Sequence, residues 1–552
     1  MKHFFKWLSI TIIAMLLLPI FVLIVLYNSA DMGEPDLSIN PSEYQIQEKG
    51  DTLYCNQSYL RQSSSGLWEL YIKGSTQQRG ATQGALTKEL MKYQEDVFID
   101  QIREIIPSDG YLSFLRNFIV IFNRNLGRYI PLEYREEIVA MSEFCTDEYN
   151  AIGTPYERQL NYHAAHDIGH TMQQYMLVGC SSFGVWGDKS SDGELLIGRN
   201  FDFYVGDDFA KNKIITFASP ESGYRYASVG WAGMVGVLSG MNECGLTITI
   251  NAAKGAIPTS AAMPISILTR EILQYAATIE EAYKIAQKHQ TFVSESLLIG
   301  SAADGKCAII EKTPDKIALY NPQGEEQIIC TNHYQSIEFE EDSYNVENIK
   351  YSDSKYRYEL LAELLANHET IDHQEAANTL RNRYGKGGKD IGIGNEMTLN
   401  QSIAHHSVIF APCSAKMWVT TDIWQSGEFE CYDLRRFFER GEHPTPSPEY
   451  RVRADEEFIE QELPRLIEWR AATKILKDAI WHRSKERVTA EFISNFKELN
   501  PNHYYTYRLL GDFYATFDEV ETAREVYRQT LNCEIPYLSE REEIENIIKK
   551  MK

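Results

Sequence analysis

GCSSFGVWGDKSSDGELLIGRNFDF, residues 179–203, decides how the rest of this chain is read. Ser181 to Trp186 is a short apolar run, DKSSDG (188–193) is a dense cluster of turn formers, and Glu194 to Phe203 resumes the apolar pattern. Two such runs about a Gly/Ser/Asp turn predict a β-hairpin. Folding symmetrically about Ser190 and Ser191 returns Phe201 to a position opposite Cys180 and crowds Arg199, Asn200 and Asp202 around the thiol. A nucleophilic sulfur needs such company: a cation or donor to favour thiolate, and a carboxylate to orient a base. A lone strand cysteine otherwise reads as a small buried hydrophobe. The Arg-Asn-Phe-Asp cluster at the matching position turns the reading toward chemistry.

Working outward, more blocks carry a pattern. WELYIKGSTQQRGATQGAL (68–86) holds Gly74, Ser75, Arg79, Gly80 and Gly84. MNECGLTITINAA (241–253) ends an apolar strand in Asn251, and CTNHY (330–334) does the same with Asn332. ADGKCAIIEK (303–312) lies between them, and SDSKYRYELL (352–361) places Arg357 on a predicted helix over 354–366. In this order the blocks resemble the N-terminal-nucleophile (Ntn) amidohydrolases, in the branch that contains penicillin acyltransferase (acyl-coenzyme A:6-aminopenicillanic-acid acyltransferase). Conjugated bile salt hydrolases and acid ceramidase are more distant relatives. The resemblance covers residues 68–420.

The resemblance implies an αββα sandwich, an α+β fold, and a specific chemistry. Cys180 would first cut the Gly179–Cys180 bond autocatalytically, since a mid-chain nitrogen is an amide and cannot act as a base. Glycine at 179 leaves the carbonyl unshielded. The freed α-amino group, titrating near 8, would then accept the thiol proton. Cys180 would attack a linear, non-peptide amide of a small-molecule substrate and pass through an acyl-thioester to water or a second amine. Asn251 and Asn332 would donate to the oxyanion. Arg199 and Asp202 would place the amino group, and Arg357 would complete the set. The class needs no cofactor. Asx-turns for the asparagines, a cross-strand salt bridge for Arg199 and Asp202, and a surface position for Arg357 are the plain alternatives.

A competing constellation is HAAHDIGH (163–170), which sets His163, His166 and His170 on one helix face beside Asp167. Three histidines could hold zinc with one position open, which makes a metallohydrolase the rival enzyme. The two-histidine helical pattern with an intervening glutamate is absent. A structural or processing role for these histidines is the other reading.

The formal net charge of −24 with scattered basic residues argues against nucleic acid. Trp7 to Tyr27 is a 21-residue run without a charge, preceded by Lys2 and Lys6 and followed by Asp31, Glu34 and Asp36. It predicts an uncleaved single-pass membrane helix with the catalytic body on the outer side; a cleaved signal peptide is the alternative. Nine cysteines show no disulfide framework.

The organisation expected is an anchor (1–30), a prosegment or amino-terminal subunit (31–179) opening on a polar linker and entry strand (31–66), a catalytic domain (180–440) and a helical region (450–552). The stiff stretch HPTPSP (443–448) separates the last two. In the tail, Tyr507, Leu510, Gly511, Tyr514, Ala523 and Tyr527 fit tetratricopeptide spacing. One unit is too few for an independent solenoid, so the region reads as a helical cap that could contact a partner protein. A non-catalytic scaffold using this tail is the remaining alternative function.

Overall fold

A computed structural model describes residues 31–105, 119–164, 179–256 and 260–551, with Val25, Asn117 and Pro258 besides. The hairpin is present as strands Ser181–Val185 and Leu196–Asp202. Ser181 faces Asn200 and Phe183 faces Gly198, the register that sets Cys180 opposite Phe201. Gly193, at φ 77°, makes the left-handed turn that closes the loop.

The hairpin is the middle of a six-stranded antiparallel sheet. Its order is Gln327–Cys330, Ser181–Val185, Leu196–Asp202, Ala404–Ala411, Lys416–Thr420 and Phe429–Asp433. The second sheet has eleven strands and runs from Gln47–Lys49 at one edge to Ile317–Tyr320 at the other. Its strands are antiparallel except where Trp68–Gly74 runs parallel to Ile214–Pro220.

The two sheets pack face to face through Ile197, Val408 and Phe410 of one and Phe217, Leu298 and Ile309 of the other. Helices Thr76–Ile105, Leu132–Ser142 and Ile265–Tyr275 cover the outer face of the larger sheet, with Leu86, Ile138 and Leu268 in one cluster with Ile248 and Ile299. Helices Ser354–Ala366 and His373–Leu380 cover the smaller sheet, with Leu361 and Leu380 packed among Phe183, Val185 and Trp418. The layers are therefore helix, sheet, sheet, helix. Central strands are buried on both faces, and Leu196–Asp202 is buried at every position although it carries Arg199, Asn200 and Asp202.

Residues 47–62, expected within a linker and one entry strand, form three strands that extend the edge of the larger sheet. They are short and partly exposed, so their alternation is too weak to read from sequence. The tail forms five helices between Leu463 and Lys550. A Cβ at Gly511 would lie 2.5 Å from the Tyr527 ring, so the helices Tyr504–Thr516 and Val520–Leu531 cross on that glycine.

The expected membrane-spanning helix is corrected, and with it the fold's transmembrane element, the membrane contact and the single-pass placement. Among the described residues no helix is long and apolar enough to cross a membrane. The run Trp7–Tyr27 itself lies outside them, apart from Val25.

Phe183 supports the hairpin from its helix side, fully buried beneath Gly198, where a Cβ would lie 2.6 Å from its ring. Phe183→Ala is expected to cost about 3–5 kcal/mol. The check is a lowered denaturant midpoint with an unchanged slope.

Candidate active site

Cys180 sits at the end of the hairpin, fully buried. Strand alternation sends Arg199 and Phe201 between the sheets and Asn200 and Asp202 toward the helix side. Arg199 is buried, and both its terminal nitrogens are engaged while Nε has no hydrogen-bond partner among the described residues. It stacks over the Phe201 ring at 4.3 Å, donates to the Ile250 carbonyl at 2.7 Å, and points Nη2 at Cys180 Sγ from 3.8 Å. Its Nη1 bonds the Ser239 hydroxyl and lies 3.2 Å from His406 Nε2. Burial raises the Cys180 thiol above its ordinary value and the Arg199 charge offsets part of the rise. The intact chain therefore holds a protonated thiol.

Asn200 does not crowd the thiol as expected. It donates to the carbonyls of Leu380 and Leu399 and accepts from Ser407 Oγ, tying the hairpin to its helix layer.

Asp202 is fully buried, and among the described residues neither carboxylate oxygen has a hydrogen-bond partner. Burial pushes its carboxyl up to about 8, against the favourable charges of Arg357 and Arg199. Its backbone carbonyl accepts from Gly179 N at 3.1 Å, which continues the ladder one residue past Cys180.

Arg357 lies on the helix Ser354–Ala366, whose bounds match the sequence expectation, and it points inward. Nη1 donates to the Cys180 carbonyl at 2.8 Å and to Ser181 Oγ at 2.9 Å, Nη2 to Asn332 Oδ1 at 2.7 Å, and Nε to Asp353 at 2.9 Å. One guanidinium thus joins nucleophile, asparagine and helix, using the fork geometry that lysine lacks.

Asn251 and Asn332 are also buried here. Asn251 accepts from Ser182 Oγ at 2.9 Å and donates to the Cys330 carbonyl at 3.0 Å. Asn332 Nδ2 donates to the Ala252 carbonyl at 2.7 Å. Each amide carries two N–H groups, so one on each is uncommitted among the described residues.

Sequence reading missed Ser182, Ser239, Asp353 and His406. Nothing marks Ser182, Ser239 and His406 in one dimension, since the sheets bring them against Asn251 and Arg199, whereas Asp353 is the helix N-cap four residues before Arg357, a spacing the sequence does show. His163 is placed by the structure but not as a metal ligand. Its Nε2 accepts from Val235 N at 2.8 Å and its Nδ1 donates to the Gln159 carbonyl at 2.7 Å, while burial lowers its pKa to about 4. Both ring nitrogens are committed, and a zinc site would lose its first ligand. His166, Asp167 and His170 lie outside the described residues.

Residues 188–422 match the family model of acyl-coenzyme A:6-aminopenicillanic acid acyl-transferase. The chain carries a penicillin acyltransferase-like domain. The matched segment contains Arg199, Asp202, Asn251, Asn332 and Arg357 and begins just after Cys180. Acyl transfer is the reaction that the matched family's description names. An Archaeoglobus fulgidus protein is 23% identical over 422 residues, 67% of each chain. The N-acylethanolamine-hydrolyzing acid amidase ortholog of Caenorhabditis elegans is 16% identical, with a TM-score of 0.31, over 42% of this chain and 93% of its own. Conjugated bile acid hydrolase of Clostridium perfringens is 13% identical, with a TM-score of 0.32, over 49% of this chain and 96% of its own.

The acyltransferase-like domain stores a testable electrostatic cost at Asp202. An unfolded aspartate ionises near 3.9, whereas the folded one keeps its proton up to about 8. The folded state therefore binds the extra proton between those values, and this group removes stability as pH rises from about 4 to about 8. In uncleaved Cys180→Ala protein, Asp202→Asn should flatten the fall of melting temperature between pH 5 and pH 9, both taken as roughly bracketing that window. An identical fall in both proteins would exclude a buried unpaired carboxyl.

Proposed function

We propose that this chain is a self-processing cysteine amidohydrolase or acyltransferase acting on a linear acyl amide. The observation that carries this reading is convergence: Arg199 of the hairpin points at the Cys180 thiol, Arg357 of the helix donates to the Cys180 carbonyl and to Ser181, Asn251 at the end of strand Leu246–Ala252 accepts from Ser182, and the same Arg357 guanidinium holds Asn332. A structural cysteine needs none of this.

In the proposed sequence the chain is first cut at Gly179–Cys180. The new α-amine appears beside Asp202, whose carboxyl, without a hydrogen-bond partner among the described residues, then gains an ammonium and ionises. The unprotonated fraction of that amine takes the thiol proton, so Cys180 acts as nucleophile with its own base. Sulfur attacks the substrate carbonyl, and the free N–H groups of Asn251 and Asn332 supply charge stabilisation. The amine leaves with a proton, and water or a second amine releases the acyl group from the thioester. Arg357 holds the Cys180 carbonyl and Asn332 together throughout, while Arg199 favours thiolate.

Two measurements test the reading. Intact-mass analysis should find two fragments, the larger beginning at Cys180, with Cys180→Ala remaining one chain; wild type that hydrolyses amides uncut would contradict it. In protein confirmed as processed, Asn251→Ala should slow single-turnover acylation by about 100- to 1000-fold with substrate binding nearly unchanged. Acylation at the wild-type rate would remove the asparagine from the mechanism.

A further inference from the structure

Gln401 is buried, at 2% exposure, and among the described residues its Nε2 has no hydrogen-bond partner. Its neighbours, by contrast, are pinned. The Leu399 carbonyl accepts from Asn200 at 2.9 Å, Asn400 Nδ2 donates to the Trp424 carbonyl at 3.3 Å, and Ser402 N donates to Asn400 Oδ1 at 3.0 Å. Ser402 takes a left-handed φ of 55°, and its carbonyl accepts from Arg470 of the helical tail at 2.7 Å. The segment is thus over-determined, yet among the described residues Gln401 Nε2 and Ser402 Oγ are buried with nothing to donate to.

The Gln401 donor stands on the scissile residue. A Cβ at Gly179 would lie 2.8 Å from Gln401 Nε2 and 2.9 Å from Oε1. The two atoms are nearly equidistant, so the N–H reaches this point in either orientation of the amide. Asn251 bonds Ser182 and Cys330, on the carboxyl-terminal side of Cys180. Gln401 occupies the amino-terminal side.

We infer that Gln401 is a processing residue whose side-chain amide stabilises the charge developing on the Gly179 carbonyl oxygen during self-cleavage. The inference rests on the self-processing reading above. In that step Sγ bonds the Gly179 carbonyl carbon, the oxygen takes up negative charge, and the carbon–nitrogen bond to Cys180 then breaks. The thiol proton ends on the departing nitrogen. Water hydrolyses the resulting thioester to the Gly179 carboxylate and returns the thiol. A fixed donor packed against Gly179 serves the first of these events once it meets the developing oxyanion. It serves no event of the later acyl transfer, after Gly179 has been released from Cys180. The same packing accounts for glycine at 179, since any side chain there would displace the amide.

The test follows freshly synthesised full-length chains by mass as they convert to two fragments. Gln401→Met keeps the length of the side chain and removes the donor. It should self-cleave about 100- to 1000-fold more slowly than wild type, by the usual loss of one oxyanion donor. Two further readouts separate chemistry from packing. In the Cys180→Ala background Gln401→Met should leave the melting temperature unchanged, and each processed Gln401→Met chain should turn over amide at the wild-type rate. Gln401→Met cleaving as fast as wild type would overturn the inference and leave self-processing standing. Slow cleavage with a lowered melting temperature would make Gln401 a packing residue and overturn it too. Wild type that never cleaves would overturn the self-processing reading and this inference together.

Discussion

The carboxyl of Asp202 lies fully buried, within the fields of Arg199 and Arg357 but hydrogen-bonded to neither among the described residues. Burying a carboxyl with no partner is unfavourable, and proteins keep such groups where function uses them. The remaining geometry follows from having to hold that group at the end of the hairpin. Strand register puts it one residue past Phe201 and one ladder step from Gly179. Arg357 must therefore approach from the helix layer, and Arg199 must fill the space between the sheets, where Phe201 takes the face of its guanidinium. A new amino terminus at Cys180 would supply the hydrogen-bonding cation that Asp202 lacks among the described residues.

The asparagines show how the two sheets share the work. Asn251 belongs to the larger sheet yet bonds Ser182 and Cys330 of the smaller one. Asn332 follows the edge strand of the smaller sheet yet bonds Ala252 of the larger. These crossed bonds clamp the sheets together beside the thiol. Side chains locked by such contacts lose little further freedom when they meet a substrate, which is what a preorganised oxyanion site requires. The helical tail joins the same construction through Arg470, and through Asn500, which exchanges hydrogen bonds with the backbone of Ile393.

Much of this was legible in the sequence, for identifiable reasons. The hairpin register follows from a turn cluster centred between two apolar runs, and the bounds of the Arg357 helix follow from its apolar spacing. Asn200 was misplaced, although the alternation that brings Arg199 toward the thiol must send Asn200 to the opposite face. Of the three strands at 47–62 only a single entry strand was expected, because they are short and half exposed. Ser239, His406 and Gln401 carry no linear signal at all, since their importance comes from the approach of segments far apart in the chain. The apolar run at the amino terminus marks the opposite case, a strong linear pattern to which the described residues add no membrane-spanning helix.

The central claim is that Asp202 is held empty for the amine that cleavage creates. A crystal structure of the mature protein tests it most directly. The account predicts a break between Gly179 and Cys180, with the Cys180 nitrogen within hydrogen-bonding distance, about 3 Å, of an Asp202 carboxylate oxygen. A continuous chain through that bond in active protein, or a free amine turned away from Asp202, would contradict it.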